Sequence, residues 1–560
     1  MPKMTGGQAL AKSLYREGVR VIFGLPGVQL YHMMDGLYDE PGIRFINTRH
    51  EQATTYMADG YARAANRPGV CFAQSVGAAN LAAGLQDPYL AMSPVIAMTG
   101  RKTPMEQQKN AYQEIEHSKP FASVTKFSAY VERVEQLPYL LRQAFREATS
   151  GTPMPVHLDL QGMTANVIMQ TEGDLELVVE ESFTRRPAFR PEASPDTVLR
   201  AAQRLSMAQR PVIVAGGGVT SSQAEQEVVE LAEMLSIPVA TSLNAKGAIT
   251  DNHPLSVGVV GSYSRWCANR VVAEADLVIF IGSHTGSQVT NEWRIPAEGT
   301  PVIQIDIDPS ELGRSYPNEV SLHGDAKATL RKLIEALEPI GGRNDWVSRA
   351  QELVKDWREE VAPRSNSEAV PIIPERLCNE LTKFLPEDSI LVSDTGHAGI
   401  WTGSMVDLNH PGQGYIRCAG SLGWGLPGAI GVQCAAPDRP VVCFTGDGGL
   451  WYHIGELETA VRYNIPVITV VNNNRGLMQN KRGDDRGYAN VDGADSSELW
   501  QFNDVDLAKV AESIGALGIR VDRPGDIQSA LEQALASGRP AVIDVVTDPH
   551  DSESPVPWAP

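Results

Sequence analysis

The chain predicts an α/β protein of three doubly wound parallel-sheet domains, and three observations carry that expectation. Its 560 residues exceed what one hydrophobic core holds, so units of about 150 to 200 residues are the natural division. Short β-branched runs alternate with amphipathic stretches along the whole sequence, as they do where parallel sheets are covered by helices. Apolar runs end in glycine-rich turns or in polar clusters, where open α/β sheets bind ligands.

The elements follow in order. The first block opens on a β-branched run over 19–24 and closes on another over 155–160; it is expected to fill residues 1–180, with a Pro-, Arg- and Glu-rich linker up to about Pro195. The second, 195–337, begins with a strand over 210–215 that runs into Gly216-Gly217-Gly218. A helix from about Ser222 to Leu235, a strand over 238–241 and a later strand over 302–308 complete its outline. A charged helical stretch and Arg364-Ser365-Asn366-Ser367 form a second linker over 338–370. The third domain, 371–550, carries strands over 390–393, 440–444 and 466–471.

A net charge of −20 without any local basic run argues against nucleic acid and anionic membrane surfaces as partners. Small-molecule chemistry is favoured. The six cysteines, Cys71, Cys267, Cys378, Cys418, Cys434 and Cys443, form no Cys-x-x-Cys pair and read as buried free thiols. The N-terminus lacks the apolar core of a signal peptide, and nowhere do roughly 18 apolar residues run together. A cytoplasmic protein without membrane contact is expected.

The sharpest chemical signal is Gly446-Asp447-Gly448-Gly449 at the end of one apolar strand, followed by a helix and by Asn472-Asn473-Asn474 at the end of the next. Asp447 and Asn474 are 27 residues apart, one strand–helix–strand unit, so both oxygens reach the carboxyl ends of adjacent strands. Carboxylate and amide oxygens suit octahedral magnesium, which keeps positions for phosphate oxygens and water. The helix expected after Gly448 aims free N–H groups at the same place. A diphosphate is the implied guest.

On these residues the sequence resembles the thiamine-diphosphate enzymes of the acetohydroxyacid (acetolactate) synthase and benzoylformate decarboxylase group, with benzaldehyde lyase and 2-hydroxyacyl-CoA lyase among its members. The resemblance covers the chain in the order pyrimidine-binding domain, central Rossmann-like domain, diphosphate-binding domain. It implies thiamine diphosphate and Mg2+ as cofactors, with Asp447, Asn474 and the Gly476 carbonyl as metal ligands. A second segment, Arg49-His50-Glu51-Gln52-Ala53, resembles the family's pyrimidine motif. There Glu51 is implied to hydrogen-bond ring atom N1′, so that the cofactor's own 4′-nitrogen can take the weakly acidic thiazolium C2 proton. Cys418-Ala419-Gly420-Ser421-Leu422 resembles the stretch in which Gly420 offers its carbonyl to the 4′-amino group and Leu422 is the wedge beneath the cofactor. Thr395, Gly396 and His397, together with Gly446, Gly448 and Gly449, are the implied diphosphate contacts.

Substrate-side signals are sparser. Ala111-Tyr112-Gln113-Glu114 resembles the segment with an active-site glutamine, which makes Gln113 a catalytic candidate; His32, Gln29 and His117 are the nearest other polar residues. The central-domain stretch 282–289 lacks the arginine of acetohydroxyacid synthases, and residues 475–481 lack their tryptophan. FAD or ADP is a candidate guest at Gly216-Gly217-Gly218, although three glycines fall short of the full dinucleotide fingerprint. Segments 482–487 and 555–560 are candidate lids. The family further implies homodimers or homotetramers with active sites at the subunit interface. The reading is a lyase or carboligase acting on 2-oxoacids or 2-hydroxyketones. The alternatives are a 2-hydroxyacyl-CoA lyase or oxalyl-CoA-decarboxylase-like enzyme on an acyl-CoA substrate, and a non-catalytic cofactor-binding homologue.

Overall fold

The computed structural model describes residues 3–27, 30–161, 168, 170–339, 342–481, 497–552 and 554–560. Among them lie three six-stranded sheets whose neighbouring strands are all parallel, plus a small antiparallel ribbon pairing Lys3–Thr5 with Glu172–Asp174. The N-terminal sheet consists of β1 (Val21–Leu25), β2 (Arg44–Asn47), β3 (Gly69–Ala73), β4 (Val95–Arg101), β5 (Phe127–Val131) and β6 (Val156–Gln161). Their order across the sheet is β2-β1-β3-β4-β6-β5.

The central sheet consists of β7 (Pro211–Ala215), β8 (Val239–Thr241), β9 (Ser256–Val259), β10 (Leu277–Ile281), β11 (Val302–Asp306) and β12 (Val320–His323), ordered β9-β8-β7-β10-β11-β12. The C-terminal sheet consists of β13 (Ile390–Ser393), β14 (Gly414–Arg417), β15 (Val441–Gly446), β16 (Ile468–Asn473), β17 (Leu517–Val521) and β18 (Ala541–Val546), ordered β14-β13-β15-β16-β18-β17. The two outer sheets thus share one topology, while the central sheet has the dinucleotide-fold order. Strands such as β7 and β10 are buried along their whole length, as β-branched runs covered by helices on both faces must be.

Helices α1 (Glu51–Ala65) and α2 (Gly77–Leu90) belong to the N-terminal domain, α3 (Asn344–Ser365) to the second linker, and α4 (His397–Ser404), α5 (Gly425–Ala435), α6 (Asp447–Tyr452) and α7 (Glu456–Arg462) to the C-terminal domain. One apolar core runs from β1 and β3 through α1 and α5 into β13 and β15, joining the outer domains. The crossing of α1 and α5 is close: a Cβ on Gly60 would overlap the Gly428 carbonyl, and one on Gly431 would overlap the Met57 carbonyl.

Three local expectations are corrected. The helix expected from Ser222 begins at Gly217 and is divided into Gly217–Ser222 and Glu225–Leu235, because Gln223 takes the left-handed conformation (φ +54°). The helix expected after Gly448 begins at Asp447. Cys434 is only half-buried, whereas the other five free cysteines are buried. Within the second linker, α3 buries Trp346, Leu353 and Trp357 in a core shared with the central domain. Among the described residues no helix is long and apolar enough to cross a membrane.

Candidate active site

Adjacent strands β15 and β16 run parallel with Gly446 opposite Asn472, so Asp447 and the asparagines emerge side by side at the carboxyl edge. The three asparagines differ in their partners. Asn472 Oδ1 accepts from Thr547 Oγ1 at 2.7 Å, and Asn473 Nδ2 donates to Asp544 Oδ1 at 2.7 Å. Asn474 Oδ1 is buried and has no hydrogen-bond partner among the described residues, and the same holds for Asp447 Oδ1. Burial pushes the Asp447 carboxyl up to about 7, against N–H donors that include Gly448 and Gly476. Two orphaned buried oxygens call for a ligand, and a hard cation with oxygen preference satisfies both. Gly476 beside them forms a bridge with Gln501, while Leu477 N–H donates to the Trp500 carbonyl at 2.8 Å, which pins this turn.

The strand order of the C-terminal sheet reverses between β13 and β15, the switch point at which doubly wound sheets bind ligands. Thr395, Gly396 and His397 follow β13 there, with Gly396 at φ +63°, and Gly446, Gly448 and Gly449 flank the start of α6. The segment expected to contact the diphosphate begins at Asp394, whose role in organising this corner the sequence did not reveal. Asp394 accepts from the backbone N–H groups of Thr395 (2.7 Å), Gly423 (3.1 Å) and Gly425 (2.9 Å). Its carboxyl, pushed up to about 6 by burial against those donors, ties the turn after β13 to the loop that carries Gly420 and Leu422. Gly420 is exposed and Leu422 half-buried. A polar residue ending a buried strand was the available signal.

Glu51 opens α1 behind the N-cap His50, whose Nδ1 accepts from Gln52 N–H at 3.1 Å. Its Oε2 accepts from Asn80 Nδ2 at 3.0 Å, and its other oxygen lies so close to Gly77 that a Cβ there would have to displace the Glu51 carboxylate. Gln113 has a left-handed backbone (φ +59°), and its carbonyl accepts from Ser75 Oγ. The loop before α2 and the first residue of that helix therefore contact both candidates, through Ser75 and Gly77. Among the described residues no hydrogen bond links Glu51 or Gln113 to the Asp447 group within one chain. His117 is buried, its Nδ1 3.0 Å from Asp159 Oδ1 and its Nε2 3.1 Å from the Ser75 carbonyl, so it supports the loop. Gln29, the His32 side chain and segment 482–487 lie outside the described residues.

The central sheet reverses between β7 and β10, and there Gly216 and Gly218 pack on Gly282 so closely that neither could carry a Cβ. A cavity of about 930 Å3 opens beside them, lined in part by Gly217, Asn244, His284, Asp306 and Arg417. The C-terminal tail crosses the central domain: the Trp558 carbonyl accepts from Asn269 Nδ2 at 2.8 Å, and Ser554 Oγ lies 3.3 Å from His397 Nε2.

The corner after β13 and β15 thus brings two unsatisfied oxygens, a helix start and a glycine-rich turn together in a way that suits a phosphate-bearing cofactor. Family models agree with that class. "Thiamine pyrophosphate enzyme, N-terminal TPP binding domain" matches residues 4–120, the corresponding central domain 198–333, and the C-terminal TPP binding domain 394–545. The chain belongs to the thiamine pyrophosphate enzymes, and thiamine diphosphate is its cofactor. Among its relatives, the probable acetolactate synthase large subunit of Methanocaldococcus jannaschii is 35% identical over 99% of this chain and 94% of its own. Acetolactate synthase isozyme 3 large subunit of Escherichia coli K12 is 30% identical over 99% of this chain and 97% of its own. Glyoxylate carboligase of Escherichia coli O157:H7 is 31% identical over 98% of this chain and 94% of its own.

Proposed function

We propose that the chain is a Mg2+-dependent carboligase or lyase that cleaves the bond beside the carbonyl of a 2-oxoacid or 2-hydroxyketone and joins the acyl fragment to a proton or a second carbonyl compound. The observation that carries this reading is the pair of orphaned buried oxygens, Asp447 Oδ1 and Asn474 Oδ1, at the switch point of the C-terminal sheet. Asp447, Asn474 and the Gly476 carbonyl would hold the metal, and Thr395, Gly396, His397, Gly446, Gly448 and Gly449 the diphosphate. When bound, thiamine diphosphate would supply a carbon nucleophile for the carbonyl and, in its cationic ring, a sink for the electrons of the broken bond. Glu51 would hold the ring nitrogen N1′ and so tune the acidity of the thiazolium C2 proton, Gly420 and Leu422 would orient the rings, and Gln113 would hydrogen-bond the substrate oxygen. Relatives named acetolactate synthase and glyoxylate carboligase support ligation of small oxoacids.

The test is a panel of pyruvate, glyoxylate, benzoylformate, benzoin and 2-hydroxyacyl-CoA compounds, assayed with and without Mg2+, alongside Asp447→Ala. We expect turnover on an oxoacid that chelation abolishes, and loss of thiamine diphosphate from Asp447→Ala on desalting. Full cofactor retention by that variant would sink the metal assignment. The 930 Å3 cavity beside Gly216–Gly218 favours a second reading, in which an adenine nucleotide such as FAD or ADP, or the nucleotide end of an acyl-CoA, occupies the central domain. Chromatography of the supernatant of heat-denatured protein decides whether FAD or ADP co-purifies, and turnover of the acyl-CoA members of the panel decides the third guest.

A further inference from the structure

Two buried carboxylates cross the contact between the outer domains in opposite directions. Asp87, on α2 of the N-terminal domain and fully buried, reaches the C-terminal domain's loop: Oδ1 accepts from Ala419 N–H at 2.8 Å, and Oδ2 from Gly420 and Ser421 N–H at 3.1 and 2.9 Å. Arg63 of α1 donates to Asp87 Oδ1 at 3.3 Å and also to the Arg417 carbonyl. Glu456, first residue of α7, does the reverse. Its Oε1 accepts from Arg49 and His50 N–H, both at 3.0 Å, while Oε2 accepts from Thr459 Oγ1 at 2.7 Å. Each carboxylate therefore holds backbone that adjoins a candidate cofactor residue: Gly420 and Leu422 in one direction, Glu51 in the other.

We propose that Asp87 and Glu456 are reciprocal positioning residues, which set the wedge loop from the N-terminal domain and the Glu51 backbone from the C-terminal domain. The inference rests on the proposed cofactor site. Counting donors makes it specific. Both oxygens of Asp87 face N–H donors alone, so an amide in its place must turn its own NH2 against at least one of them. Glu456 differs, because an amide there keeps one oxygen for both N–H groups and can donate to Thr459.

Amide hydrogen exchange on the cofactor-free chain reads the contacts directly. Asp87→Asn should speed exchange at 419–421 by at least about tenfold, as loss of charge-assisted bonds to buried N–H groups requires. Glu456→Ala should do the same around 49–51, and Glu456→Gln should recover most of that loss. With thiamine diphosphate and Mg2+ bound, Asp87→Asn and Glu456→Ala should each slow hydrogen–deuterium exchange at cofactor C2 by about tenfold or more, with Glu456→Gln again restoring most of it. Unchanged amide protection in Asp87→Asn overturns the clamp. Exposed amides with wild-type C2 exchange make both residues architectural and overturn the positioning role. If Asp87→Asn does not fold, the Ala–Gln contrast at Glu456 decides. A wild-type chain that binds no thiamine diphosphate would instead overturn the functional reading and this role with it, while the amide data still judge the contacts.

Discussion

Glu51 stands in the first turn of α1, where unpaired backbone N–H groups favour a carboxylate, and Asn80 donates to it at 3.0 Å. Glu51→Gln keeps the shape and keeps an oxygen for Asn80, so cofactor binding should survive while charge at N1′ is lost. We expect hydrogen exchange at cofactor C2 to slow by at least about tenfold, equivalent to about 1.4 kcal/mol in the barrier; wild-type exchange in a fully loaded variant would contradict the proposed role. The placement of Asp447 and Asn474 at the ends of adjacent strands was legible in the sequence because apolar runs mark those ends, whereas Glu51 was reached through the resemblance of its segment to the pyrimidine motif. Asp87 and Glu456 were not legible. A buried carboxylate that receives backbone N–H groups reads in sequence like any solvated helix or turn acid, since its partners lie far along the chain: Asp87 is 332 residues from Ala419.

At the scale of elements, the crossing of α1 and α5 decides how the outer domains sit, and it is made of glycines. Gly60→Ala improves helix propensity by about 1 kcal/mol, but its Cβ would overlap the Gly428 carbonyl, and overpacking against backbone costs about 1–3 kcal/mol. The overlap wins, so the variant should unfold at lower urea concentration than wild type. Sequence periodicity found the strands here to within a residue or two, for example β13 over 390–393 and β15 from Val441, because whole-length burial makes their β-branched runs conspicuous. It could not see that Gly60 and Gly428 face each other. The helix Gly6–Arg16 supplies a pH test through its C-cap, Glu17, which is 3% exposed and whose Oε2 lacks a hydrogen-bond partner among the described residues. Burial, then nearby Glu180, pushes its carboxyl up to about 8 from the usual carboxylate value of about 4.5. A raised carboxyl pKa favours the folded state while protonated, so its contribution declines as pH climbs from about 4.5 to about 8. Glu17→Gln should therefore raise stability at pH 8.5 by about 1–3 kcal/mol, the scale of one unsatisfied buried group, and do little at pH 4. Equal urea midpoints at pH 8.5 would contradict this.

In the whole molecule, Glu51 and Gln113 lie at one sheet and Asp447 and Asn474 at another, with no hydrogen bond joining the groups among the described residues of a single chain. Large apolar side chains next to them are exposed: Val76 beside Gly77, Tyr112 beside Gln113, and Trp451 and Tyr452 at the end of α6. Exposed apolar surface beside half-sites is what a subunit interface leaves on an isolated chain. We therefore expect a dimer in which the N-terminal domain of one subunit completes the proposed Asp447–Asn474 corner of its partner, and subunit mixing tests it. Glu51→Gln and Asp447→Ala each inactivate both sites of a homodimer. In a mixed dimer one site combines wild-type Glu51 with wild-type Asp447, and the other carries both lesions. Random reassociation of equal amounts should then restore about a quarter of wild-type activity, half of the dimers having one intact site of two. Mixtures that stay inactive after verified exchange of subunits would place Glu51 and Asp447 in the same site of one chain, and activity from a monomer isolated by light scattering would lead to the same conclusion.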